Sequence, residues 1–258
     1  PRRLSTDIDI IVDKDTDVDD YINKAGTIFP FLSVEEHKRK GANNIEKRHF
    51  RFHFLSPRTE KEINILLDVV FEDNPYFIVT ERPIRSNLLL HKGDDLMVWL
   101  PDKNCILGDK LTAFAPETTG IPYYKNDKLT TLEIIKQLYD VGRLFDRMQD
   151  IGTVSQSFKA IADVELGYRN LGHDLSQIYD DIRQTALNIS TRGFVDKDKF
   201  ALLQKGIINI KPFMYKGAYR IEEAIIDAAK AAYLATLIET GGENIERFTD
   251  AQISGDLL

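Results

Sequence analysis

The rhythm of hydrophobic and polar positions changes along the chain. Between Arg48 and Leu55, His49, Arg51 and His53 alternate with Phe50, Phe52 and Phe54. Alternation with period two predicts a half-buried strand with the phenylalanines on one face. Ser56 to Lys61 is polar and contains Pro57, and Glu62 to Phe71 is a second apolar, β-branched run, so the two runs predict a hairpin. Ile8 to Val12 is a short β-branched run ahead of the Asp-rich stretch Asp13 to Asp20, which predicts a strand and then a helix start. Shorter extended runs at 76–80 and 87–90 make the first third mostly sheet.

After Pro101 the period lengthens. Leu107, Leu111 and Phe114 lie at helical spacing, and Ala115-Pro-Glu-Thr-Thr-Gly-Ile-Pro122 breaks the pattern into a loop. From Leu129 to Met148 an amphipathic stripe runs through Leu132, Ile135, Leu138 or Tyr139, Gly142 and Phe145, with Thr130 and Glu133 spaced as a capping box. Phe158 to Thr240 is dominated by helical periodicity, clearest at Ile221, Ala224, Ile225, Ala228, Ala232 and Ala235. There is no internal repeat and no low-complexity linker. An α+β chain is expected, with a sheet-bearing domain over 1–150 and a helical domain over 151–258.

Composition narrows the class. Of the 258 residues, 43% are hydrophobic and 10% aromatic, with 15 Gly and 9 Pro, which excludes a disordered or collagenous chain and implies a real core. The single Cys105 cannot close an intramolecular disulfide, and without a Cys-x-x-Cys pair structural zinc has no ligands, which suits a reducing cytoplasm. No run of about 18 apolar residues and no signal pattern is present, so a soluble, cytoplasmic protein is expected, with no membrane partner. A start at Pro1 instead of Met leads to the expectation that a first element is missing. The net charge of −7 argues against a general nucleic-acid binder. The charge is uneven, however: residues 36–61 hold eight Lys/Arg against three Glu, a local +5 that leaves −12 elsewhere.

The sharpest local signal is Ser5-Thr6-Asp7-Ile8-Asp9. Residues two apart on a strand share a face, so Asp7 and Asp9 would stand side by side. Paired hard carboxylates suit magnesium with phosphate oxygens completing the shell; the plainer alternative is an exposed acidic strand edge. Asp68 interrupts the apolar run Ile65-Leu66-Leu67-Asp68-Val69-Val70, where it is either a third metal-facing carboxylate or a residue on a solvent-facing strand side. Lys110, on the predicted helix, would neutralise phosphate charge or simply be solvated. Asp140 shares a helix face with Lys136 and Arg143, as a base or in a surface ion pair. His49 and His53 flank Arg51 on one strand face but lack a third ligand nearby. No Gly-x-Gly-x-x-Gly, Walker, Gly-x-Ser-x-Gly or thiol-protease pattern occurs.

Taken in order, Arg3-x-Ser5-x-Asp7-Ile8-Asp9, Leu67-Asp68-Val69, Gly108-Asp-Lys110-Leu-x-Ala113-Phe114, Ala115-Pro-x-Thr-Thr-Gly-Ile-Pro-Tyr123 and Ile135-Lys-Gln-Leu-Tyr-Asp140 resemble the AbiEii/AbiGii toxin family of nucleotidyltransferases. The resemblance is close over about 1–150 and general in the helical remainder. It implies a polymerase-β-like mixed sheet flanked by helices, and a toxin of bacterial toxin-antitoxin and phage abortive-infection systems that transfers a nucleotide to RNA, with the 3′ end of tRNA as acceptor. By position it implies Ser5 and Thr6 at the nucleotide, Asp7 and Asp9 holding Mg2+ or Mn2+ and the nucleoside triphosphate, Asp68 as a third metal carboxylate, Lys110 on the triphosphate, and Asp140 completing the catalytic set. Lys38, Arg39, Lys40, Lys47, Arg48 and Arg51 become the candidate RNA contacts, and a cognate antitoxin an expected partner. Two departures stand out: the family's Gly-rich phosphate-contacting turn is absent upstream, and Lys136-Gln137 replaces the Lys-Asp of many members. They leave open a nucleotide-binding or antitoxin-engaging module with lapsed catalysis, and a protein or small-molecule hydroxyl is a further possible acceptor.

Overall fold

The structure is a computed structural model that describes residues 3–5, 7–37, 46–85, 93–169, 172 and 174–247. The chain packs as two compact units, an N-terminal one of Arg2–Pro75 with Phe213–Gly217 and a helical one of Tyr76–Pro212 with Ala218–Leu258. This is a division of packing and separates the chain near residue 75; the expected functional division at residue 150 is a separate matter.

The N-terminal unit runs β1 (Asp7–Val12), α1 (Val18–Ile28), β2 (Ser33–Glu36), β3 (Glu46–Leu55) and β4 (Glu62–Phe71). The strands form one mixed sheet in the order β1-β4-β3-β2, with β1 parallel to β4 and the other pairs antiparallel. The predicted hairpin is β3–β4, and its register sets Phe50 opposite Leu67 and Phe52 opposite Ile65. That apolar face, with Val69 and Phe71, packs beneath Val18, Ile22 and Ala25 of α1. Burying each of the two phenylalanines stabilises the unit by roughly 2–3 kcal/mol. α1 starts inside the acidic run because Asp17 caps it, accepting from the Asp20 N–H at 3.2 Å, while Asp19 and Asp20 complement the positive end of the helix dipole.

The strand of the two aspartates is less buried than its Ile-Ile-Val sequence suggests. β1 is the sheet's edge, so Ile10 and Val12 are half-buried while Ile8 and Ile11 are exposed. Ahead of it, Leu4 N–H donates to the Phe213 carbonyl at 2.7 Å and Arg3 bridges to Met214, which ties a segment from late in the chain to the start of β1. β2 was not foreseen, because Ser33–Glu36 alternates without strong apolar residues and is exposed throughout.

The helical unit contains the ribbon of β5 (Val79–Pro83) and β6 (Met97–Pro101), then α2 (Lys103–Ala113), the short pair β7 (Tyr124–Lys125) and β8 (Lys128–Leu129), α3 (Thr131–Phe145), α4 (Ile151–Tyr168), α5 (Ser176–Ser190), α6 (Lys197–Asn209) and α7 (Ile221–Thr240). The extended run expected over 76–80 appears three residues later as β5, and the one over 87–90 lies outside the described residues. α2 packs on α3 and α4, α3 on α6 and α7, and α5 on α7. The alanine stripe of α7, with Ala224, Ala228, Ala231 and Ala235 fully buried, allows close approach of its neighbours. One expectation fails at the start of α3. Thr130 is the N-cap residue, yet its hydroxyl donates to the Pro122 carbonyl and makes no capping bond, so the loop claims it first. The α+β class, a small mixed sheet with seven α-helices among the described residues, is as expected.

Candidate functional site

In the N-terminal unit the face opposite α1 carries the candidate carboxylates. Parallel pairing sets Asp9 opposite Asp68 and Asp7 opposite Leu66, and antiparallel pairing sets His49 opposite Asp68 from the other side. Paired residues project to the same side, so Asp9, Asp68 and His49 form one row across three strands, with Asp7 on the same face two residues back. Asp7 and Asp9 are exposed. Ser5 Oγ donates to Asp7 Oδ1 at 2.5 Å, which sets the serine against the carboxylate two residues on. Asp68 is half-buried on this polar face, and His49 Nδ1 lies 2.7 Å from its Oδ1.

The chemistry of this donor set fits a hard divalent cation. Among the described residues no three His, Cys, Asp or Glu side chains come together as a metal-ligand group. The arrangement therefore suits an ion held by one or two carboxylates that takes its remaining ligands from phosphates and water, the usual manner of magnesium, rather than an all-protein cage.

The same polar face carries part of the basic stretch. Lys47 is exposed; Arg51 is half-buried, with its Nε buried and without a hydrogen-bond partner. His53 Nδ1 lies 2.7 Å from Glu62 Oε1 and its Nε2 lies 3.5 Å from Glu35 Oε2. Arg48 projects to the other side. It donates to Glu36 at 2.9 and 3.0 Å and to Asp19 at 2.6 Å and lies over the Phe50 ring, so two carboxylates already neutralise it. Thr6, Lys38, Arg39 and Lys40 lie outside the described residues.

Lys110 and Asp140 belong to the helical unit. Lys110, in the last turn of α2, is half-buried, with Nζ 3.5 Å from Asp109 Oδ2. Asp140 is buried on α3. The expected surface network on that helix is instead interior: Lys136 is buried and donates to Glu133, and Arg143 reaches to Asp227 of α7.

The loop 115–122 is held from two sides by residues that motif reading passed over. Asp181 Oδ2, on α5, accepts from the N–H groups of Glu117 and Thr118 at 2.8 and 2.9 Å and from the Thr118 hydroxyl at 2.8 Å. Arg169 donates to the carbonyls of Thr119 and Gly120 at 2.7 and 2.6 Å, and to that of Thr118. Burial pushes the Asp181 carboxyl up, against the lowering effect of the Thr118 and Glu117 hydrogen bonds. A cavity of about 250 Å3 lies against this loop, lined in part by Asp109, Thr112, Lys125, Glu165 and Arg169.

Asp227 was likewise invisible beforehand, as one acid in an alanine-rich helix. It is fully buried, accepts from Arg143 Nη2 at 2.9 and 3.2 Å, and lies 3.7 Å from Lys230 Nζ. Gly142 makes room for it: a Cβ there would stand 1.9 Å from Asp227 Oδ1. Burial, opposed by Arg143 and Lys230, pushes this carboxyl up to about 6. The unfolded group titrates near 4, so between about pH 4 and 6 the folded chain binds more protons than the unfolded one. The stability this group contributes is full below pH 4 and is lost as pH rises to 6, by up to about 1.4 kcal/mol per pH unit. Asp227→Asn should remove that slope from a thermal-denaturation series between pH 4 and 7; an unchanged slope would refute the assignment.

Comparison with known proteins gives a family. The family described as nucleotidyl transferase AbiEii toxin, type IV toxin-antitoxin system, matches residues 1–242. Among solved structures, JHP933 from Helicobacter pylori is 12% identical with a TM-score of 0.45, covering 93% of this chain and 78% of that one. A candidate nucleotidyltransferase from H. pylori is 13% identical with a TM-score of 0.46, covering 95% of this chain and 83% of that one. None of the curated proteins compared matches the chain significantly. No helix among the described residues is long and apolar enough to cross a membrane.

Proposed function

Because the chain belongs to the AbiEii nucleotidyltransferase toxin family of type IV toxin-antitoxin systems, we propose that it transfers a nucleoside monophosphate from a nucleoside triphosphate to an RNA hydroxyl, that of the 3′ acceptor end of tRNA. The observation that carries the reading is the pair Asp7 and Asp9 on one face of β1 with Asp68 directly opposite Asp9.

In this reading Asp7 and Asp9 hold Mg2+, or Mn2+, together with oxygens of the triphosphate. When bound, the ion supplies charge neutralisation at the phosphates. Ser5 keeps Asp7 in place and, with Thr6, contacts the nucleotide. Asp68 is the third carboxylate of the row. Lys110 contacts the triphosphate and Asp140 completes the catalytic set; both are assigned from the order of the motifs along the chain. The acceptor hydroxyl oxygen bonds to the α-phosphorus, its proton passes to a carboxylate or water, and the bond to the departing pyrophosphate breaks. Lys47 and Arg51, with Lys38, Arg39 and Lys40, contact RNA phosphates. Arg48 would first have to leave Glu36 and Asp19. Residues 1–150 supply the nucleotidyltransferase domain and 151–258 the helical one, and the antitoxin is a partner that restrains the enzyme in the cytoplasm.

The test is incubation of the chain with each α-labelled nucleoside triphosphate, Mg2+ and total bacterial RNA. Label in a tRNA-sized band is the expected result. Label in a protein or a small molecule would move the acceptor, and binding of triphosphate without any incorporation would leave a nucleotide-binding module in place of the transferase.

A further inference from the structure

We infer that His49 is a positioning residue of this site: its Nδ1–H holds Asp68 Oδ1 and leaves Oδ2 as the oxygen that serves the reaction. The inference rests on the reading of Asp68 given above and extends it to a residue on a different strand.

The register makes the contact. His49 is the antiparallel partner of Asp68, which is in turn the parallel partner of Asp9, so the imidazole and both carboxylates project from one row. The 2.7 Å separation of Nδ1 and Oδ1 is a full hydrogen bond, and the histidine side chain, 16% exposed, is better buried than the carboxylate at 36%. An ionised carboxylate only accepts, so Nδ1 carries the proton and donates. A free aspartate samples several orientations; one pinned by a half-buried donor keeps a single one, and the second oxygen then meets its ligand without that ordering cost.

The same strand face contains an internal comparison. His53, four residues along β3, makes a bond of the same type and length to Glu62. Glu62, however, pairs with Leu55 at the far end of β4, outside the stretch Leu66–Phe71 that pairs with β1. Both pairs contribute to the sheet, and only His49 reaches the row that includes Asp9.

The experiment uses the full chain and Mn2+ alone, with its binding read by electron paramagnetic resonance, and nucleotide incorporation measured separately. His49→Gln keeps the bulk but moves the donor off the Nδ1 position, and should weaken Mn2+ binding about 10- to 100-fold. His49→Asn, whose amide nitrogen overlies Nδ1, should bring affinity back to within about threefold of wild type. His53→Gln should bind as wild type does. Wild-type Mn2+ affinity in a folded His49→Gln protein overturns the inference, as does an equal loss in His53→Gln, which would mark a general effect of the sheet. Wild-type affinity in Asp68→Asn is a different failure and sinks the reading of Asp68 itself.

Discussion

Asp7→Asn is expected to lower nucleotide incorporation about 1000-fold, the scale of losing a main source of transition-state charge stabilisation, while the denaturation midpoint stays within about 2 °C. The two halves of this expectation share one cause. Asp7 is exposed and its hydrogen bond goes to the exposed Ser5, so the folded chain gains little from its charge. Its position two residues from Asp9 on the same face even adds a like-charge repulsion that the substitution relieves. A residue that the fold does not need and that is held against another carboxylate has the profile of a group kept for its ligand. Labelling assays with each α-labelled triphosphate, alongside thermal denaturation, check both halves. Wild-type incorporation by Asp7→Asn would remove the β1 carboxylates from the mechanism.

Gly108→Val is expected to have the largest effect on stability, about 3 kcal/mol, or a midpoint lower by about 6–12 °C. Gly108 opens the Gly-Asp-Lys motif, and a glycine beside a lysine invites a phosphate-binding explanation. Its surroundings give another. A Cβ at this position would stand 2.7 Å from Phe158 N and 2.8 Å from Val154 O, both backbone atoms of α4 that cannot swing aside. The glycine lets α2 and α4 approach closely, so the substitution drives the two helices apart and disturbs the packing around Leu107 and Phe158, both fully buried. A midpoint shift under about 2 °C would contradict that account.

Some of this was legible from residue order. The alternation of Phe50, Phe52 and Phe54 with His49, Arg51 and His53 specified β3 and its two faces, because side-chain direction in a strand depends only on parity. The run Glu62 to Phe71 matched β4 residue for residue, since polar residues bound a continuous β-branched stretch. Helices α2, α3 and α7 followed from their apolar stripes. The expected capping bond failed where a loop contact outbid a local one: Thr130 is the N-cap of α3, but its hydroxyl goes to Pro122 instead of its own helix. Arg143 looked like a solvated partner of Asp140; the buried Asp227, 84 residues later, claims it.

By itself, the sequence determined β1, β3, β4 and the helices α2, α3 and α7, the shared face of Asp7 and Asp9, and the family, all of which depend on spacing within short segments or on motif order. The tertiary structure alone decided which strand lies beside which: that Asp68 faces Asp9, that His49 completes the row, and that Asp181 and Arg169 grip the loop 115–122. The physical reason is that parity and periodicity orient a side chain relative to its own backbone, whereas its partner is chosen by strand register and helix packing. Those are properties of segments far apart in the chain, and no local pattern encodes them.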